Sequence, residues 1–344
     1  MAEKIKQLVK ISDHRSFEIG LLLANRSRVM GVRPVVAHDS WMYMVKLGIG
    51  TPPTFTNLEF DTGSSLSFIL VRFMDGTKTK GFLVVDRFTF ASNLGNRLEA
   101  VDNVVFGCSK DTSPDMYHHG TVVSGIIGMG TGARSFLMQL RGQAKSRFSY
   151  CLVPPERTAQ SYLRFGTDIE HIRHAQTTPL LSHHGSDEYY LDLKDLSVEG
   201  RLLHLPSDTF KMNPDGTGGC VMDTGTWINF MVESALNALV RSLEEHFQRH
   251  NLRKVEDPYK ADFKLCYEKP RGFSSYLAIG FHLRGAVLRP RPKSFFFINK
   301  NSFCLSMKED QHTLIGAALQ QNRRMVFDIR KRRLTFAEEN CARD

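Results

Sequence analysis

Leu58-Glu59-Phe60-Asp61-Thr62-Gly63-Ser64 returns as Cys220-Val221-Met222-Asp223-Thr224-Gly225-Thr226, with 162 residues from Asp61 to Asp223. A second pattern, two branched apolar residues and a glycine, follows each copy: Ile126-Ile127-Gly128 and then Leu314-Ile315-Gly316. Two motifs repeated in the same order point to a duplicated half. In each copy an apolar run enters Asp-Thr-Gly, the signature of a buried strand ending in a tight turn that glycine permits. Taken singly, each Asp-Thr-Gly also fits an ordinary Asx-type turn. If the halves pack about a pseudo-twofold axis, Asp61 and Asp223 become neighbours, and two carboxylates that close cannot both ionise. The pair then holds one proton and offers an acid and a base in one site. A water between them can hydrolyse an amide without metal and without a covalent intermediate.

Outward from the repeat, the chain reads as short apolar or alternating runs broken by Gly, Pro, Asn and Asp: Tyr43–Leu47, Phe82–Val85, Val101–Phe106, Tyr189–Leu193, Phe295–Ile298 and Met325–Ile329. Helical periodicity is confined to Ser135–Leu140 and to Glu233–Arg249, where Leu236, Leu239, Val240, Leu243 and Phe247 share a face. Residues 1–38 read as an appendage, and Pro154–Gly185 as a crossover between halves. The chain has 344 residues, 42% hydrophobic and 24% charged, the balance of a soluble protein with room for two domains. No apolar run approaches the ~20 residues of a membrane-spanning helix. The net charge is +9, but its densest clusters, Arg323–Arg324 and Arg330–Arg333, flank alternating Met325, Val326, Phe327 and Ile329, which reads as a strand with a charged edge rather than a nucleic-acid surface. Six single cysteines and the scattered histidines 118, 119, 171, 174, 183 and 184 show no metal-ligand spacing. The first segment does not read as a signal peptide, and Asn25-Arg26-Ser27 is a glycosylation sequon.

The order of VKLGIGTPP, FDTGSS, DGTKTKGFLVVDRFTF, VVFGCS, GIIGMGTGARSFLMQL, RFSYCL, YYLDLKDLSVEGRLL, DTGT, KLCYE and IGAALQQNRRMVFD, from Tyr43 to Cys341, resembles the pepsin-like aspartic proteases and their plant nucellin- and nepenthesin-like branch. That resemblance implies an all-β, bilobal fold with the active-site cleft between two related barrel-like lobes: a propeptide-like segment at 1–38, a first lobe at 39–175 with a flap near 73–90, and a second lobe at 176–344. It implies an aspartic endopeptidase, with Asp61 and Asp223 as the catalytic pair and an acidic optimum. Thr62 and Thr224 brace the loops reciprocally, Gly63 and Gly225 allow close approach, and Ser64 and Thr226 supply hydroxyls to the outer carboxylate oxygens. It also implies disulfides Cys266–Cys304 and Cys151–Cys341, leaving Cys108 and Cys220 as thiols. Peptide or protein substrates are the expected partners, with no cofactor, metal, nucleic acid or membrane, in a monomer that is secreted, apoplastic or vacuolar.

Two departures stand against the family pattern. Only twelve residues separate Asp61 from Phe73, where the flap pattern Phe73, Asp75, Gly76, Thr77 begins, and twelve residues reach at most roughly 40 Å. Part of the first lobe is therefore missing. Phe73 stands where the family has tyrosine, and Phe68 where it has tryptophan, so both polar handles of one pair are lost together. These changes keep open an impaired relative that acts as a protein-binding or inhibitor module, and a truncated product that folds poorly.

Overall fold

The two copies of the repeat become two strands with the same unusual neighbour. Thr54–Asp61 runs parallel to Val123–Gly128, with Phe60 opposite Ile127 and Asp61 opposite Gly128. Cys220–Met222 runs parallel to Thr313–Ile315, with Met222 opposite Ile315. The repeated apolar-apolar-Gly motif is thus the strand that lies beside each Asp-Thr-Gly loop, in a chain whose other strand pairs are nearly all antiparallel. Residues 32–39, 42–65, 70–72, 78–92, 97–112, 123–140, 144–169, 171–183, 185–214 and 216–344 are described by this computed structural model.

The first acidic strand belongs to an eight-stranded sheet with Val35–Asp39, Met42–Ile49, Leu70–Arg72, Lys78–Ala91, Leu98–Thr112, Val123–Gly128 and Ser161–Tyr162. Lys78–Ala91 and Leu98–Thr112 form a long hairpin, pairing from Thr79–Thr112 to Ala91–Leu98. The second acidic strand belongs to a ten-stranded sheet that also takes in Arg147–Cys151, Arg323–Asp328, Arg333–Glu338, Gln176–Leu181 and Tyr189–Leu191. Chain from both sides of residue 175 therefore shares one platform. Its aromatic core stacks Phe148 on Phe327 at 4.8 Å and sets Tyr189 against Phe327 at 4.6 Å, giving the loops above it a close-packed floor. The fold is all-β and bilobal, of the pepsin type.

Glu233–Arg249 forms one helix, as its periodicity predicts, with Leu236, Leu239, Leu243 and Phe247 buried and Val240 at the edge of the core. The ring of Phe247 lies 4.9 Å from Tyr267 and 5.3 Å from Phe303. Leu243→Ala is expected to lower stability by about 2–5 kcal/mol, since the wholly buried side chain leaves a cavity in the core when its methyls are removed. Urea unfolding checks this: the midpoint falls while the denaturant slope stays constant.

Two readings from sequence need correction. The boundary at residue 38 cuts through a strand: Val35–Asp39 pairs with both Met42–Ile49 and Ser161–Tyr162, Val32 bridges Ser92, and Arg33 donates two hydrogen bonds to Asp168. The sheet reaches back to Val32. Arg323–Asp328 is no charged edge but an interior strand, flanked by Arg147–Cys151 and Arg333–Glu338. Its arginines are buried because each has found partners: Arg324 meets Glu339 at 2.6 Å and Asp344 at 2.5 Å, and Arg323 donates to the Arg289 carbonyl. Arg330, Lys331 and Arg332 form the exposed turn that follows.

Cys151–Cys341 ties strand Arg147–Cys151 to the last turn across 190 residues, and Cys266–Cys304 joins directly opposed residues of an antiparallel pair. Asp257 lies beside the latter, but those sulfurs are bonded to each other and its carboxylate accepts backbone N–H groups of Tyr259, Ala261 and Phe263. That is a turn, not a metal site. Among the described residues Cys108 is an exposed thiol and Cys220 a buried one, whose pKa burial pushes up, keeping it protonated. No helix among the described residues is long and apolar enough to cross a membrane.

Candidate active site

Both Asp-Thr-Gly loops leave the ends of their parallel pairs and meet head to head. Thr62 N–H donates to Thr224 Oγ1 at 3.1 Å, and Thr224 N–H donates to Thr62 Oγ1 at 3.0 Å. Each hydroxyl then reaches the other strand: Thr224 Oγ1 donates to the Phe60 carbonyl at 2.7 Å and Thr62 Oγ1 to the Met222 carbonyl at 3.4 Å. Both threonines are buried, so these bonds exchange with no solvent and lock the loops in register. The glycines make the approach possible. A Cβ on Gly63 would stand 2.7 Å from Asp223 Cγ, and one on Gly225 would stand 2.6 Å from Asp61 Cγ.

The carboxylates are consequently side by side and both buried. Gly63 N–H donates to Asp61 Oδ1 at 2.8 Å and to Asp223 Oδ1 at 3.0 Å, so one donor spans the pair. Asp223 receives two more: Gly225 N–H on Oδ1 and Thr226 Oγ1 on Oδ2, each at 2.8 Å. Ser64, the counterpart of Thr226, has a buried hydroxyl with no partner in hydrogen-bond geometry, although its nearness to Asp61 favours the ionised form. Burial first, and the charge of Asp223 second, hold the Asp61 carboxyl well above the usual aspartate range.

Residues 68–167 match the family described as xylanase inhibitor N-terminal, and residues 188–338 match xylanase inhibitor C-terminal. Nepenthesin-2, an aspartic proteinase of Nepenthes gracilis, is 24% identical over 396 aligned positions that take in 98% of this chain and 86% of the relative. The chain belongs to the pepsin-like aspartic protease family. It falls with the plant nepenthesin-like members. Solved structures agree on the fold: edgp superposes with a TM-score of 0.76 at 18% identity, over 91% of this chain and 96% of that one. Basic 7S globulin from soybean gives 0.74 at 16% identity, over 92% and 99%. In the alignment with nepenthesin-2, 98% of 344 residues is about 337, so about 59 of the 396 aligned positions are gaps on this chain's side.

Of the residues singled out from sequence, the fold brings together Asp61, Thr62, Gly63, Ser64, Asp223, Thr224, Gly225 and Thr226. Phe68, Phe73, Asp75, Gly76 and Thr77 lie outside the described residues, as do His118, His119 and His184. Sequence reading missed Asn229 and Gln320. Asn229 Oδ1 accepts the Gly316 N–H at 2.9 Å, which holds the second apolar-apolar-Gly motif in place, and Gln320 is buried beneath Asp223. Gln320 opens the polar stretch Gln320-Gln321-Asn322 after the apolar Ala317-Ala318-Leu319, and nothing local sets it apart from the glutamine beside it.

Proposed function

We propose that the chain is an aspartic endopeptidase that hydrolyses peptide bonds at acidic pH with a water activated between Asp61 and Asp223. The observation that carries the reading is the single Gly63 N–H shared by two buried carboxylates whose loops are locked by the threonine exchange. The raised Asp61 carboxyl holds the shared proton, while Gly63 N–H, Gly225 N–H and Thr226 Oγ1 all donate to the Asp223 carboxylate. Asp223 then takes a proton from the water, whose oxygen attacks the scissile carbonyl carbon, and Asp61 gives its proton to the carbonyl oxygen. As the gem-diol collapses, Asp223 gives its proton to the leaving nitrogen and the C–N bond breaks, while Asp61 takes a proton from one hydroxyl as that oxygen becomes the new carbonyl, so the pair again holds one proton.

Residues from Val32 to about 175 form the first lobe in this reading and 176–344 the second, acting as a monomer on peptide or protein chains laid between them. Two disulfides support an oxidising compartment, in keeping with a secreted or vacuolar protease. A protein-binding or inhibitor module is the second reading, favoured by the description of the matched families and by the missing length in the chain. Hydrolysis of a quenched-fluorescent protein substrate from pH 3 to pH 8, with and without pepstatin, decides between them. Activity is expected to peak in acid, to fall as pH rises through the raised Asp61 pKa and the shared proton is lost, and to be blocked by pepstatin. A soluble, cooperatively unfolding chain that cleaves nothing overturns the protease reading and favours the binding module.

A further inference from the structure

We propose that Tyr150 and Gln320 are positioning residues for the acidic pair, a buried side-chain relay that fixes the Asp223 peptide while its aromatic end braces the Asp61 strand. The inference deepens the protease reading and rests on it. Both residues are wholly buried, Tyr150 in strand Arg147–Cys151 and Gln320 in the turn Ala317–Gln320 just after Gly316. The Tyr150 ring meets Phe60 edge-on at 5.1 Å, and Phe60 directly precedes Asp61. The Tyr150 hydroxyl donates to Gln320 Oε1. Gln320 Nε2 donates onward to the Asp223 carbonyl at 3.0 Å and to the Ile315 carbonyl at 2.9 Å. The amide has one workable orientation, because turning it over sets its oxygen against two carbonyl oxygens.

A comparison of the two halves shows what the relay replaces. In the first half the Asp61 carbonyl is held by a backbone donor, Met129 N–H at 2.7 Å, one residue past Gly128. The corresponding residue past Gly316 is Ala317, and its N–H goes to the Thr226 carbonyl instead. The Asp223 carbonyl is left to Gln320, while the Asp223 N–H donates to Ile315 at 3.2 Å. The Asp223 peptide is therefore pinned at both ends, one of them by a side chain. Since a displacement near 1 Å costs roughly a hundredfold in rate, a freed peptide plane is enough to misaim the carboxylate.

Three variants test this: Tyr150→Phe, Gln320→Met and the double variant. Each single variant is expected to lower kcat roughly ten- to a hundredfold with KM near that of the wild type. Each also moves the alkaline limb of the pH–rate profile to lower pH, because separated carboxylates raise one another less. Tyr150→Phe strands the buried Gln320 oxygen and lowers the melting temperature. The double variant removes the stranded oxygen but, like Gln320→Met, leaves the Asp223 carbonyl without its side-chain donor, so it is expected to melt close to Gln320→Met, with no added loss from Tyr150→Phe, while kcat stays low. Recovery of kcat together with the melting temperature, or single variants with unchanged kcat and an unmoved profile, overturns the proposal and leaves a purely structural pair. Should the wild type cleave nothing, the protease reading fails, and the relay is decided by unfolding alone. The dependence of stability on pH that Asp61 imposes is then expected to be shallower in Gln320→Met, and an unchanged dependence overturns it.

Discussion

Asp61→Asn is expected to lower kcat by roughly 10²- to 10⁴-fold, the usual worth of a positioned acid or base, and at the same time to raise the unfolding midpoint at neutral pH. The two effects share one cause. An ordinary aspartate loses its proton near 3.8, and burial beside Asp223 raises that value in the folded protein. Between the two values the folded chain binds more protons than the unfolded one, so stability falls as pH rises through that window. Below it both states carry the proton and no penalty is felt. Above it the fold holds a second buried negative charge and stays less stable. Asparagine keeps the shape and removes the charge, so the variant and the wild type should unfold alike at pH 3 and diverge in favour of the variant toward pH 7. Thermal melts across that range, with the hydrolysis assay alongside, measure both. Parallel pH profiles for the two proteins would show that Asp61 is not the perturbed group, and retained activity would remove it from the reaction.

Periodicity and the repeat make the two acidic loops and the long helix legible in the sequence alone. The apolar-apolar-Gly motif is a good case: sequence marks it as a companion of Asp-Thr-Gly, and the fold explains the company, since it is the parallel strand against each loop. The Glu233–Arg249 face was readable because one residue in three or four is apolar and all of them go inward. Arg323 and Arg324 were not readable, because the carboxylates that neutralise Arg324, Glu339 and Asp344, come from chain that packs on it only in three dimensions. Local pattern cannot distinguish a charged edge from a paired interior. The same limit hid Gln320, whose three hydrogen-bond partners are Tyr150, Asp223 and Ile315. Ser64 and Thr226 occupy equivalent positions in the repeat, yet only Thr226 donates to its carboxylate, an asymmetry that side-chain rotation decides and sequence does not record.

Gly225→Ala probes the approach of the loops most directly. Its new methyl carbon falls 2.6 Å from both Asp61 Cγ and Oδ1, inside any tolerable contact, and neither loop can yield without breaking the threonine exchange. Overpacking of this kind costs about 1–3 kcal/mol, and the shift it forces between the carboxylates is expected to lower kcat roughly a hundredfold. Gly63→Ala should behave alike, since its methyl falls 2.7 Å from Asp223 Cγ. Coupling separates this explanation from a general intolerance of the turn. Asp61→Ala removes the two atoms that Gly225→Ala strikes, so the double variant should be destabilised by less than the sum of the singles, and the shortfall measures the clash. Strict additivity in urea unfolding would mean that the glycine is needed for the turn itself and not for the meeting of the two carboxylates.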